Sequence, residues 1–491
     1  MRQHVAMDPE NALPQAGAGV RPGPSWTGGT LVLVALGLVL LVGWAAKPWQ
    51  WSLVDDPDYR LNLLRAQQEH GWLSGILERI DAAYDFDRSG GQFRPLLWVY
   101  SATFYLLGPG LAHALRLLLL LLAVGSVGLA VRQRLVGAIG PVPMWTITVW
   151  AISAVLSVRG LFDGLSFLSI MELPTVTLAA AAAVDRSAAR KVLWLTLASL
   201  SKTPVVGGLF ALAVVLYRCK RRGLAMTALG AGGVIVLWAR DFALGGSYTA
   251  EYELTLEHAT SALVGLGRQL ALPTLVLACA LLWARTWRPR FDSDALVLVS
   301  AGLGYVVLLL PWGSSSGYNL AAPAFLLVTG TALGITTTLR ATWTTKTSTD
   351  DYQPASRATT ALRHRFPLVV ALLVAGVVTT IGVKAALDRD TTIRGVVDWA
   401  STLPEGDVVA TNGIESAVRY GQLLALRHGS SSSQQFVYAQ PGVAPPCAVR
   451  WVVAMHDQGP PELTASLALL RSLPLGDIYR VPDSGGQNPA C

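Results

Sequence analysis

Apolar runs of membrane length recur through the first four-fifths of the chain, separated by short polar stretches. They cover residues 28–46, 111–131, 142–158, 170–184, 192–200, 205–217, 224–239, 270–284, 295–311, 320–339 and 367–386, eleven in all. A spanning helix needs about 20 mainly apolar residues, so most of these read as spans. The fifth and sixth are short and read as broken or re-entrant, which survives at membrane depth only where protein or water satisfies the backbone. The pattern predicts a mainly α fold: a polytopic transmembrane helical bundle of about 11 spans, with a small α/β domain after it.

Between the first two spans, residues 93–107 are apolar but open with Arg94-Pro95 and close on Gly108-Pro109-Gly110. They read as a juxtamembrane helix on the outer face; the alternative is a twelfth span. Basic residues arbitrate. If 93–107 does not cross, Arg132/Arg134, Arg186/Arg190/Lys191, Arg218/Lys220/Arg221/Arg222, Arg285/Arg288/Arg290 and the basic residues of 340–365 fall on one side. That is a positive-inside pattern with a cytoplasmic N-terminus. The loops 47–91 and 240–263 and the C-terminal tail are then extracytoplasmic.

Within the first loop, Tyr59, Leu63, Leu64, Trp72, Leu73, Ile76, Leu77 and Ile80 alternate with Arg, Gln and Glu. The spacing predicts an interfacial helix pair broken at Gly71. Residues 1–27 read as a disordered cytoplasmic leader rich in Pro and Gly, and 28–46 as a retained helix rather than a cleaved signal. The organisation expected is a membrane module over 28–339 with the outer loop 47–110. A polar cytoplasmic linker over 340–366, a last span at 367–386 and an extracytoplasmic α/β domain over 387–491 follow. In that domain 407–411, 449–455 and 478–481 read as strands, 414–426 and 461–473 as helices, and 430–435 as a flexible loop.

Composition supports the membrane reading. Of 491 residues, 52% are apolar and 14% charged, against about a quarter charged in soluble domains. The net charge of +7 reflects Lys and Arg in short loops, where they set orientation, and does not point to nucleic acid. Cys219 and Cys279 lie at or in apolar runs and read as free thiols, while Cys447 and Cys491 lie in the tail. Pairing of the latter two is left open, since disulfides persist in oxidising compartments. No zinc spacing is present.

Candidate chemistry gathers at one face. Asp55, Asp56 and Asp58 stand where the first helix leaves the membrane; the plain alternative is a helix cap. Asp56-Pro57-Asp58 and Asp85-Phe86-Asp87 both spell D-x-D, too short to define a metal site. Arg94 lies in F-R-P-L, and a guanidinium suits bidentate contact with phosphate; surface anchoring is the alternative. His113 and Arg116 open the second span. Arg159 and Asp163 close the third, where interfacial snorkelling also accounts for charge. Glu172 sits within an apolar run and is harder to dismiss. Lys202 in S-K-T-P suits a phosphate or marks the interface.

Four motifs in order, Asp55-Asp56-Pro57-Asp58-Tyr59, Phe93-Arg94-Pro95-Leu96, Arg159-Gly160-Leu161-Phe162-Asp163 and Ser201-Lys202-Thr203-Pro204, resemble those of the GT-C class of polytopic glycosyltransferases. That class includes dolichyl-phosphate-mannose mannosyltransferases and arabinosyltransferases. The likeness covers roughly the first 220 residues. Gln92 replaces the usual basic residue before Phe93, and Thr203 replaces the Glu expected after Lys202, which removes an acid function there. The resemblance implies transfer of a hexosyl or pentosyl unit from a polyprenyl-phosphate sugar onto an extracytoplasmic glycan, lipid or protein acceptor at the plasma membrane.

On that reading Asp55 or Asp56 is the general base, with Asp55 and Tyr59 matching the family spacing, and Asp163 positions the acceptor or orients Arg159. Tyr59, Arg94, His113, Arg159 and Lys202 bind substrate. General-base assistance is worth about 10²–10⁴-fold. No cofactor is demanded; a divalent metal stays compatible. Membrane lipid is an expected partner and nucleic acid is not. The rivals are a lipid-linked glycan flippase or other transporter, and an inactive GT-C-like scaffold. No internal repeat of the kind frequent in transporters is evident, and the candidate charges share one face.

Overall fold

The computed structural model describes residues 56–107, 109–158, 172–246, 255–284, 291–311 and 320–347, scattered positions between 369 and 403, and residues 408–412, 435–438, 449–456 and 468–481. Among them the chain is mainly helical with one small sheet. The first apolar run, 28–46, lies outside the described residues.

The chain enters through α1 (Asp56–His70) and α2 (Trp72–Gly90). Gly71 separates them at φ 85°, a region that L side chains rarely adopt, so glycine makes the break. The helix pair expected from the sequence is therefore present. Trp72, Leu73 and Leu77 are more than half exposed on α2, as suits a helix lying in a lipid interface. Gly91, at φ 77°, ends α2 as a left-handed cap, its N–H donating to the Arg88 carbonyl while Gln92 N–H donates to that of Asp87.

Helix α3 (Pro95–Thr103) and a 3₁₀ turn (Phe104–Leu106) follow. Nine residues at about 1.5 Å each reach about 14 Å, well short of a hydrocarbon core of about 30 Å. A helix of this length favours the juxtamembrane alternative.

The bundle comprises α4 (Pro109–Leu135), α5 (Pro141–Leu156), α6 (Glu172–Val184), α7 (Ala188–Ser201), α8 (Val206–Arg218), α9 (Arg222–Gly245), α10 (Leu256–Ala284), α11 (Ser293–Leu309) and α12 (Ala321–Thr347). Within α4, α9, α10 and α12, four stretches are long and apolar enough to cross a membrane. Their burial differs: 83% of the apolar window in α12 is inside the protein, against 22% in α9. Helix α12 is thus central, and α9 presents Met226, Leu229, Leu237 and Trp238 outward, as a lipid-facing helix does. These are the helices of a membrane protein.

Packing between helices relies on small residues, because lipid tails remove the hydrophobic incentive for helices to associate. A Cβ on Gly207 of α8 would sit 2.7 Å from the Ser300 carbonyl oxygen of α11. One on Gly330 of α12 would sit 2.9 Å from that of Ala295.

Helices α7 and α8 correspond to the two short runs. They meet through Lys202, extended at φ −149°, and a 3₁₀ turn at Thr203–Val205. The two runs are therefore separated by a break at Lys202–Val205. Two further expectations need correction. The loop 240–263 is largely helical, since α9 continues to Gly245 and α10 begins at Leu256; Leu256, Ala262, Leu263 and Leu266 extend the apolar spacing of the following run back through polar neighbours. The linker expected from 340 begins as helix, because α12 continues through Thr347. Thr336, Thr337 and Thr338 return their hydroxyls to carbonyls four residues back, which lets a threonine-rich stretch stay helical.

The two ends of the bundle carry distinct charge clusters. At one end Arg134 of α4 donates to Asp292 at 2.7 Å and to Asp294 at 3.0 Å, and Lys191 of α7 also pairs with Asp294. Asp292 caps α11 by accepting from Ala295 N–H at 2.8 Å, and Thr337 of α12 donates to it at 3.2 Å. Burial pushes the Asp292 carboxyl up, but the Arg134 guanidinium, the Ala295 amide and the Thr337 hydroxyl together hold it below the ordinary carboxylate range. Arg134, Lys191 and the last turns of α12 therefore share one end, as the positive-inside pattern requires. The opposite end holds the residues described in the next subsection.

The C-terminal sheet has strand order β2-β1-β3-β5-β4, with β1 (Val408–Asn412), β2 (Gln435–Tyr438), β3 (Val449–Met455), β4 (Ala468–Leu473) and β5 (Gly476–Arg480). β1 runs parallel to β2 and β3, while β5 is antiparallel to β3 and β4. Trp399, Val409, Val453, Leu473 and Ile478 form one buried cluster and Ala410, Val449, Val452 and Ala454 another. The strands expected at 407–411, 449–455 and 478–481 are found. The helix expected over 461–473 is not: residues 468–473 form β4, paired through the tight turn at Pro474-Leu475, so cross-strand pairing overrides the helical spacing of its leucines. Gln435, expected in a loop, opens β2. The helix expected at 414–426 lies outside the described residues.

Candidate active site

The site is built where α2, α3, α6, α7 and α9 end together. The left-handed cap at Gly91 turns the chain so that Arg94 faces back onto the last turn of α2. There Arg94 Nε donates to Asp87 Oδ2 at 3.2 Å, and its terminal nitrogen binds Oδ1 of the same carboxylate. Trp98 Nε1, one turn along α3, also donates to Oδ2, at 2.8 Å. Asp87 is 1% exposed and the Arg94 side chain 9%. A carboxylate this buried needs a full complement of donors, and these two residues supply it.

An aromatic cluster seals this pair. The Phe93 ring meets Trp98, Trp238 and Phe242 edge-on at centroid distances of 6.1, 5.6 and 5.3 Å, and Trp98 stacks on Phe242. The end of α9 reaches α2 at a glycine contact: a Cβ on Gly246 would lie 2.2 Å from Gly91 Cα.

The S-K-T-P segment joins F-R-P-L directly. Thr203 Oγ1 donates to the Phe93 carbonyl across 110 residues of sequence. Ser201 hydrogen-bonds Tyr100 of α3, whose phenol burial pushes up and this bond pulls down. Lys202 lies between these anchors. Its Nζ donates to Glu172 Oε1 at 3.0 Å, with the Glu172 side chain 2% exposed and that of Lys202 15%. The arrangement offers Lys202 to an anion: the hydrogen bond from Thr203 Oγ1 to the Phe93 carbonyl sets its segment beside F-R-P-L, and the sealed Glu172 carboxylate holds its ammonium. Arg116 of α4 lies beyond, over the Phe104 ring at 5.1 Å.

Of the residues predicted from sequence, Arg94 and Lys202 are brought together in this way. Asp56 and Tyr59 lie in α1 and His113 in α4, their side chains outside the described set; Asp55, Arg159 and Asp163 lie outside the described residues altogether. Asp87 had been seen only as part of a D-x-D pattern, and its role as the partner of Arg94 was missed. No spacing along the chain marks it, because the left-handed turn at Gly91 makes the contact. Glu172 was noticed as an intramembrane acid, but its partner, 30 residues on, was not foreseen. Among the described residues no group of three or more His, Cys, Asp or Glu converges as a metal site would.

No protein-family model matches the chain, and no curated protein matches it. Among solved structures it is similar to ArnT from Cupriavidus metallidurans bound to undecaprenyl phosphate, at 14% identity and a TM-score of 0.44. The similarity covers 93% of this chain and 99% of that one. A likeness of that extent does not establish membership of a family, and the residues of the chain itself carry the functional reading.

Proposed function

We propose that the protein is an integral-membrane glycosyltransferase of the GT-C kind, which moves a sugar from a polyprenyl-phosphate carrier onto an extracytoplasmic glycan, lipid or protein. The observation that carries this reading is the Thr203–Phe93 hydrogen bond. It joins two of the four motifs on which the GT-C resemblance rests and sets Arg94 and Lys202 on either side of one contact.

The chemistry follows from what such a reaction needs. The acceptor hydroxyl attacks the anomeric carbon, its proton passes to a carboxylate, and the carrier phosphate leaves with increased negative charge. Fixed cations in a site of low dielectric stabilise that charge better than water does. Lys202 takes the phosphate role, while Arg94, bound to the sealed Asp87, holds the neighbouring segment in place. The base is Asp55 or Asp56, at the start of α1, and Arg159, Asp163, Tyr59 and His113 complete the substrate contacts. The cation-rich opposite end is then cytoplasmic, so that the site and the C-terminal sheet lie outside.

The test is transfer from radiolabelled polyprenyl-phosphate sugars to a membrane-glycan extract by the purified protein in nanodiscs, alongside Asp55→Asn and Asp56→Asn. Transfer that one substitution abolishes in a folded protein supports the reading and identifies the base. Donor binding with no transfer, unchanged by either substitution, moves the assignment to a flippase or scaffold.

A further inference from the structure

The residue after Lys202 is Thr203, where the resemblance leads one to expect Glu. The structure nevertheless holds a carboxylate against this lysine. Glu172, the first residue of α6, accepts from Lys202 Nζ at 3.0 Å. The carboxylate is sealed at 2% exposure, while the lysine keeps 15%. An ammonium has three donors, and Glu172 is one acceptor. The pair is therefore asymmetric: one member is locked into the protein, and the other is held at a boundary that a ligand can reach.

The backbone agrees with that division. Lys202 is the C-cap of α7 and is extended between the helix and a 3₁₀ turn. Thr203, freed of any acidic role, ties the next position to the Phe93 carbonyl. The lysine is thus fixed on its backbone by one neighbour and at its tip by Glu172.

We propose that Glu172 is a positioning residue that aims the Lys202 ammonium at the phosphate of a polyprenyl-phosphate ligand, supplying from α6 the carboxylate that the S-K-T-P segment lacks. The proposal rests on the glycosyltransferase reading of this site. Lysine otherwise carries four rotatable bonds and considerable side-chain freedom; a buried acceptor removes that freedom before the ligand arrives, so less affinity is lost on binding.

The alternative is a pair that only holds α6 to α7. The two readings part in a binding experiment on full-length protein in nanodiscs, with undecaprenyl phosphate as the probe and thermal unfolding measured beside it. For Glu172→Gln the affinity falls about 2- to 10-fold, because the freed lysine side chain must then be ordered on binding, and Glu172→Asp recovers part of it. Lys202→Met combined with Glu172→Leu removes both members of the pair at once and binds the probe no better than Lys202→Met. Wild-type affinity in Glu172→Gln, or restored affinity in the double variant, overturns the positioning role and leaves a structural pair. A wild type that does not bind undecaprenyl phosphate at all overturns instead the reading of the site on which the proposal stands.

Discussion

The two ends of the helical bundle use the same kinds of side chain to opposite effect. At one end Arg134 and Lys191 share Asp292 and Asp294, drawn from three helices with a threonine from a fourth. Asp292 caps α11, while Arg134 and Lys191 lie in the last turn of α4 and the first turn of α7. This cluster closes on itself and fastens helix ends. At the other end the ion pairs are separate. Arg94 with Asp87 is almost wholly buried, and Lys202 with Glu172 is sealed on the acidic side alone. A closed network stabilises; a cation held from one side is presented. The lesson is that charge at a membrane boundary is not by itself evidence of a site, and that asymmetry of exposure within a pair separates the two cases.

The sharpest break in the comparison is Lys202→Met. It is expected to lower transfer efficiency by at least about 100-fold, the scale for removing one group that stabilises developing charge, measured as kcat/KM on protein normalised for folded content. Arg134→Met should act in the opposite sense. Leaving Asp292 and a share of Asp294 without their cation costs about 3 kcal/mol of stability, seen as a lower unfolding temperature, with transfer per folded molecule unchanged.

Gly207→Ala tests the packing between the two ends. A methyl group 2.7 Å from the Ser300 carbonyl forces α8 from α11 and costs about 1–3 kcal/mol, again read from thermal unfolding. Thr203→Val removes one neutral hydrogen bond, about 1 kcal/mol. It should raise KM for the donor a few-fold as the two cation-bearing segments loosen, while kcat changes less.

The smallest effect expected is on pH dependence. The Asp292 carboxyl is held below its ordinary value in the folded state. Its contribution is therefore fully present above the unfolded carboxylate pKa, about 3.9, and is lost as pH falls through the lower folded value. Asp292→Asn should be less stable at neutral pH and lose less of its remaining stability on acidification, as pH-dependent unfolding would show.

Much of this architecture was legible because membrane helices follow one strong signal. The apolar runs match α4, α5, α8 and α11 within a few residues, and the break at Gly71 follows from the change in spacing. Where polar residues entered a helix, as at the start of α10 and the end of α12, hydropathy failed, since Thr side chains bond locally to the backbone. The tail obeyed pairing more than pattern: the leucines of β4 share the spacing of a helix but bond to β5. Within the site, Arg94 and Lys202 were found by chemistry and motif order. Their carboxylates were not, because the Asp87–Arg94 and Glu172–Lys202 pairs are made by a left-handed turn and by helix packing, neither of which has a signature in one dimension.

The measurement that bears most directly on the central claim is single-turnover transfer from a radiolabelled polyprenyl-phosphate sugar to a membrane-glycan extract in nanodiscs, with Lys202→Met and Arg134→Met compared side by side at equal folded content. The account predicts that the Lys202 variant loses transfer and the Arg134 variant keeps it. Equal transfer by both variants, at the wild-type rate, would contradict it.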